Sequence, residues 1–324
     1  MSAILPVELP VDKKTQTQLR RGERRQEFAA AKRTKKRLTS RGATIAALVI
    51  AVLWTVPTFG LFVSSFRPAQ EVRTTGWWTL FSNWGLTLDN YSDVLQAGNS
   101  QLNLAGAFIN SIAITLPATL LPLIIASLAA YAFAWIDFRG KNVLFIAVFA
   151  LQIVPLQMAL VPLLQFFSQG EVFGVPVVSA ISDAGGYSQV WIAHTMFALP
   201  LAIYLLHNFV SEIPADVIEA ARVDGAGHGQ IFFRIVLPLT MPAIASFAIF
   251  QFLWVWNDLL VALIFADGAV APMTKLLAEI TGTRGQDWHL LTAGAFISIL
   301  VPLLVFFSLQ RYFVRGLLAG STKG

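Results

Sequence analysis

Six stretches of this chain each run for about 20 residues or more with almost no charged side chain, and nothing constrains the fold more. A helix needs about 20 apolar residues to cross the hydrocarbon core of a bilayer. Within that core only helices and closed barrels satisfy their backbone groups. The stretches are 43–66, 107–135, 142–167, 189–210, 241–266 and 290–310. The first is too long for a signal-peptide core and no small-x-small cleavage site follows it, so it reads as an uncleaved anchor. Charged residues make up 13% of the chain, against about 25% in a soluble domain. The expected class is therefore all-α: a polytopic membrane protein of six transmembrane helices.

The charges between the stretches give an orientation. All 23 Lys and Arg lie outside the six runs. With the N-terminus inside, nineteen fall on inner segments and four, Arg67, Arg73, Lys275 and Arg284, on outer loops. The positive-inside rule then predicts both termini in the cytoplasm. Residues 1–42 carry twelve of these cations and four acidic residues, and read as a disordered basic tail that fixes topology rather than as a nucleic-acid arm. The membrane-embedded body is expected over 43–320, with a polar inner loop at 211–240 and a short tail at 321–324. Trp77, Trp78, Phe81 and Trp84 cluster in the first outer loop, where amphipathic rings favour the membrane–water boundary and its lipid. Pro117, Pro122, Pro155, Pro162, Pro200 and Pro302 interrupt the apolar runs or lie near their ends, and each removes a backbone donor. With no cysteine, the chain has no disulfide or thiol chemistry.

The inner loop between the fourth and fifth runs is the most informative polar segment. Pro214 suits a first helical turn, and Asp216 and Glu219 complement the positive end of the helix dipole. Gly225 and Gly227 supply a stop, and 230–236 can resume a helix before Pro238. Helix, turn, helix is the expectation. Ala220 and Ala221 would let another backbone approach closely, and Val217 and Ala221 share a face. These residues fit a docking knob for another protein, and equally a surface helix lying flat on the membrane.

The segment Glu219-Ala220-Ala221, three residues, Gly225, nine residues, Ile235-x-Leu237-Pro238 resembles the EAA motif of ABC importer permeases, with Asp224 and Ala226 in its common Asp-Gly-Ala form. The resemblance implies the ABC type I importer permease fold. It also implies that Glu219, Ala220, Ala221, Asp224, Gly225, Ala226, Ile235, Leu237 and Pro238 form the loop that seats on a separate ATPase. Leu88-Asp89-Asn90-Tyr91, Phe108-Ile109-Asn110-Ser111 and the run from Phe252 to Asp258 are similar to the carbohydrate branch, in particular the G-type permease of maltose transporters. The run from Gln310 to Ser321 resembles α-glucoside permeases. The implied partners are a second homologous permease, two copies of an ABC ATPase and an extracytoplasmic sugar-binding protein. The implied location is a bacterial or archaeal cytoplasmic membrane.

No phosphate loop is present, since Gly140-Lys141 is followed by Asn142 and lacks the upstream glycine. The chain is expected to bind no cofactor and to catalyse no reaction, with ATP and magnesium on the partner. Asp258 is the one acidic residue within the six runs, and an intramembrane ionisable group is a functional candidate. Trp254, Asn257 and Asp258 could meet sugar hydroxyls, or Asp258 could join helices. Gln152, Gln157, Asn110 and Gln251 are weaker pathway candidates that also suit helix–helix contacts. His194 and His207 point about 220° apart on a straight helix, which excludes a metal pair, and no catalytic constellation emerges. Two other classes are an ion-coupled secondary transporter and a membrane glycosyltransferase. The first would carry more spans or an internal repeat, and the second acidic or His clusters at the membrane edge.

Overall fold

A computed structural model describes residues 41–98, 102–169, 171–172, 175–176, 186–281 and 287–319. The basic tail through residue 40, most of the turn region 170–185, Arg284 and the C-terminal residues 320–324 lie outside the described residues. The chain divides at Gly60–Leu61 into two units. Of the first, the described part is helical and belongs to α1 (Arg41–Ser65).

In the second unit, α2 (Ala69–Thr74) and α3 (Asp89–Gln96) precede the long α4 (Leu104–Trp135). Then come α5 (Lys141–Ala150), α6 (Leu156–Gln169) and α7 (Tyr187–Ser211). The polar loop holds α8 (Ala215–Val223) and leads into α9 (His228–Trp256). Three further helices are α10 (Leu260–Phe265), α11 (Met273–Thr281) and α12 (Trp288–Ala319). A two-residue antiparallel pair, Glu171–Val172 with Val175–Pro176, is the only sheet among the described residues.

Five helices are long and apolar enough to cross a membrane: α1, α4, α7, α9 and α12. The sixth expected span, 142–167, is not one straight helix. It is α5 and α6, bent by 104°. Pro155 has no N–H for the Leu151 carbonyl and pushes the preceding residue out of the helical region. Val154 accordingly sits at ψ 119, with its N–H turned to that same Leu151 carbonyl at 3.1 Å. Together the two arms supply the sixth hydrophobic segment. The fifth expected span, 241–266, is also revised: α9 starts earlier and ends at Trp256, and Asn257–Leu259 separate it from α10.

The core sits between α4, α7 and α9. Ala118, Ala126, Ala130, Ala193 and Ala202 are fully buried or nearly so, which lets these backbones approach closely. Two prolines interrupt the backbone ladder of α4, and each leaves one carbonyl without its helical donor. Pro117 frees the carbonyl of Ala113, which accepts from the Trp191 indole of α7 at 2.9 Å. Pro122 frees that of Ala118, which accepts from Gln251 Nε2 of α9 at 3.2 Å. Pro302 does the same in α12: the freed Ser298 carbonyl accepts from the Trp256 indole at 3.0 Å. Neighbouring helices thus repair all three breaks, as the absence of water in a bilayer requires.

After α1, the segment leading into α3 is fastened by polar contacts. Asn90 Nδ2 donates to the carbonyls of Ser65 and Arg67 at 2.9 and 2.8 Å. The buried Arg67 guanidinium donates to Thr79 Oγ1 at 2.9 Å and pairs with Glu71 at 3.4 Å. Trp78, Phe81 and Trp84 project outward from this segment, 63–72% exposed, consistent with rings resting at a bilayer surface.

Candidate functional site

The polar loop folds as helix, turn, helix. Pro214 stands at the N-cap of α8, Asp216 in its first turn and Arg222 in its last, a charge order that matches the helix dipole. The turn is a Schellman motif. The Gly225 N–H donates to the Arg222 carbonyl at 3.0 Å and the Ala226 N–H to the Ala221 carbonyl at 2.9 Å. Gly225 takes φ +81, a conformation that glycine adopts without strain. A Cβ there would meet nothing within 4 Å, so the requirement is conformational and not steric. Ala221 and Ala226, the pair that such a motif brings together, are half-buried against the same core cluster. The spacing Ala-x₃-Gly-Ala is therefore the spacing of a helix stop.

The loop has an anchored face and an open face. Ile218 is 1% exposed and packs with Ile213, Ile231, Phe232 and Val236 beneath the loop. Glu219 and Ala220 are exposed, as are Val217 and Val223. A short helix with one buried isoleucine and small or acidic residues outward presents a low, firmly seated knob. Past Gly227, α9 opens with one α-helical turn (His228–Ile231) and then a π-helical turn at Phe232–Val236, where the Leu237 N–H reaches back to the Phe232 carbonyl. Pro238 explains it: the proline ring would crowd the Arg234 carbonyl in a regular helix, and a wider turn removes the clash. Ile235 and Leu237 are half-buried in the cluster, and Pro238 is exposed.

Two hydrogen bonds outside the Glu-Ala-Ala segment tie this loop to α4, and a third ties α4 to α7 beside it. Arg222 Nη2 donates to the Trp135 carbonyl at 3.0 Å, at the C-terminus of α4. The Trp135 indole donates to the Val210 carbonyl of α7 at 3.2 Å. Tyr131 Oη and His228 Nδ1 lie 2.9 Å apart. Sequence reading did not single out Tyr131 or Trp135. Their distance from His228 and Val210 along the chain leaves no local signal.

The pathway candidates are divided. Gln152 and Trp254 meet at a cavity of about 200 Å³, lined also by Phe197, Leu201, Phe250 and Gln251. Asn110 is elsewhere, and its polar atoms are engaged: Nδ2 donates to the carbonyls of Ala269 and Ala271 at 2.8 and 3.0 Å, and Oδ1 accepts from the Tyr187 hydroxyl. Asn257 is exposed and donates to the Leu253 carbonyl of its own helix at 2.8 Å. Asp258 is not within a helix as expected but in the break between α9 and α10. Its Oδ2 accepts from the N–H groups of Val261 and Ala262 at 3.0 and 3.2 Å, capping α10. His194 Nε2 is 3.7 Å from that carboxylate, and its ring meets Trp254 edge-on at 5.8 Å.

A bundle of apolar helices with one seated, outward-facing polar loop is the architecture of an importer permease. Residues 122–318 match the family described as binding-protein-dependent transport system inner membrane component, and the chain belongs to that family. It is 53% identical over 287 residues to the osmoprotective compounds uptake permease protein GgtD of Synechocystis sp., covering 86% of this chain and 91% of that one. It is 52% identical over 241 residues to the alpha-glucoside transport system permease protein AglG of Rhizobium meliloti. That match covers 74% of this chain and spans 60% of the relative's length. Among solved structures, a chain from a bacterial ABC transporter involved in the import of the acidic polysaccharide alginate shares the fold. Its TM-score is 0.59 at 20% identity, over 85% of this chain and 98% of that one.

Proposed function

We propose that this chain is the permease subunit of an ABC importer for a carbohydrate, of oligosaccharide or α-glucoside type, and that α8 is its coupling helix. The observation that carries the reading is the seating of α8. Ile218 is buried to 1% and the Schellman turn at Gly225 fixes the helix end, while Glu219 and Ala220 face outward. The open face suits a cleft on an ATPase, and the buried face passes its displacement to the bundle. Both termini and the 211–240 loop lie in the cytoplasm in this reading, supported by the charge bias of the loops. The chain itself does no chemistry. ATP and magnesium are held by two ATPase copies, and a second homologous permease completes the pathway. An extracytoplasmic binding protein, in keeping with the family's description, delivers the sugar. The alpha-glucoside relative supports the substrate class. Closure of the ATPases would draw the coupling helices together and switch the bundle between inward and outward access.

Glu219→Lys tests the docking assignment. Co-purification of the ATPase with the permease, and ATP-dependent uptake into vesicles, are both expected to fall at least tenfold. Unchanged association and uptake would overturn the assignment. Uptake that persists without ATP would instead favour an ion-coupled transporter.

A further inference from the structure

If α8 receives force, something must carry it across the bilayer. The loop's own backbone exits are turns: Glu212–Pro214 on one side and the glycine-rich Gly225–Gly227 on the other. Turns absorb displacement. One helix, however, is hydrogen-bonded to the loop at one end and to the far side of the protein at the other. α4 runs 32 residues, about 48 Å at 1.5 Å per residue. At its C-terminus it accepts from Arg222 through the Trp135 carbonyl, and it meets His228 through Tyr131. The Arg222 contact places a cation on the negative end of a long helix, where carbonyls lack intrahelical partners. At its N-terminal end Asn110 donates to the carbonyls of Ala269 and Ala271, and Ser111 Oγ accepts from the Met273 N–H at 2.8 Å.

Two prolines would make α4 a poor lever if the carbonyls they free were loose. They are not loose. Trp191 of α7 and Gln251 of α9 take them, and α7 and α9 are the two helices that the polar loop connects. The loop's backbone exits and its hydrogen bonds therefore converge on the same three helices.

We propose that α4, locked to α7 and α9 at its two proline-freed carbonyls, is the strut that carries coupling-loop displacement to the segment 267–273 on the opposite face. Tyr131, Trp191 and Ser111 are positioning residues in that transmission. This rests on the coupling assignment for α8, and the test separates the two.

The chain has no cysteine, so Ala269→Cys gives a single reporter on an exposed side chain of the output segment. The complex of this chain with its partner permease and ATPases is reconstituted in vesicles. The rate at which N-ethylmaleimide labels this chain is compared with and without ATP and magnesium. Nucleotide is expected to change the rate at least threefold. Tyr131→Phe with Trp191→Phe removes one hydroxyl and one N–H while keeping an aromatic ring at each position. This pair should reduce the nucleotide-dependent change at least threefold, with the ATPase still co-purifying at the original level. Ser111→Ala, at the output end, should do the same by itself. Pro117→Ala, which returns an N–H to the Ala113 carbonyl, should restore part of the response lost with Trp191→Phe.

An unaltered labelling response in these variants, or none in the parent, overturns the strut and leaves α8 docking untouched. Loss of the ATPase from the double variant also overturns it, because those groups would then hold the docking surface rather than carry its motion. Association that survives Glu219→Lys is the separate failure, that of the coupling assignment.

Discussion

The two ends of α4 are held in different ways. At the Trp135 end the neighbouring loop is organised by short-range rules. Pro214 starts a helix, a left-handed glycine stops it, and Pro238 widens the next turn. At the Asn110 end the contacts join residues about 160 positions apart: Asn110 with Ala269 and Ala271, and Ser111 with Met273. The loop's own turns follow from its residues, while the bonds that hold α4, 87 and 97 positions apart at one end and about 160 at the other, exist only when the bundle is assembled.

The largest expected effect is at the long-range end. Asn110→Leu strands two carbonyls and the Tyr187 hydroxyl, and unpaired buried groups cost about 1–3 kcal/mol each. Thermal unfolding of the purified complex should show a loss of about 3 kcal/mol. A loss below 1 kcal/mol would mean that water already reaches these groups, and the contrast between the ends would weaken.

At the local end the effect should be smaller and sensitive to residue type. Gly225→Val forces a β-branched residue into φ +81 and should cost about 1–2 kcal/mol. Gly225→Asn should cost less than half of that, since asparagine tolerates the left-handed region. Equal effects of the two substitutions on ATPase association would show that the site reads side-chain size and not backbone conformation.

Between the ends, Gln251→Leu should cost about 1 kcal/mol, the usual scale for a hydrogen bond between membrane helices. In a Pro122→Ala background it should cost less, because the alanine that replaces Pro122 brings an N–H that can donate to the Ala118 carbonyl. A double-mutant cycle measures the difference, and a coupling energy of zero would break the pairing of proline with donor.

The smallest effect concerns Asp267. The hydrogen bond from Lys275 Nζ, at 3.0 Å, and the Gly268 N–H hold its carboxyl below the usual carboxylate range. A folded-state value below the unfolded one contributes stability that is present above the unfolded value. It is lost as pH falls through the depressed one. Asp267 is almost fully exposed, so screening keeps the contribution small. Asp267→Asn should leave stability at neutral pH nearly unchanged and flatten its decline in acid. Lys275 keeps its bond to the Ala266 carbonyl at 2.9 Å. A drop in neutral-pH stability larger than that of Gln251→Leu would contradict this ranking.

Several elements were legible in the chain because each rule involved is local. A run of about 20 apolar residues must cross or be buried, which set α4, α7 and α12 to within three residues of their expected starts. Glycine after an alanine-rich helix set the stop at Gly225. The same rules did not show the bend within 142–167 or the break within 241–266. Periodicity does not reveal that Pro155 bends its helix by 104° while Pro117 and Pro122 do not break theirs. In α4 the freed carbonyls accept from Trp191 and Gln251, whereas the Leu151 carbonyl freed by Pro155 accepts from Val154 in the bend itself. The place of Asp258 was hidden for a related reason: within an apolar run it reads as part of one continuous helix, but it sits in the break after α9 and its carboxylate accepts from the N–H groups that begin α10.

By itself the sequence determined the class of this protein, its hydrophobic segments and the shape of its polar loop, since those follow from hydrophobicity and from the conformations of glycine and proline. Only the tertiary structure decided which breaks are kinks and which are joints. It alone decided where Asn110 spends its hydrogen bonds, and that α4 links the loop to the opposite face. Those outcomes depend on which donor reaches which carbonyl between distant parts of the chain, and no local pattern encodes that pairing.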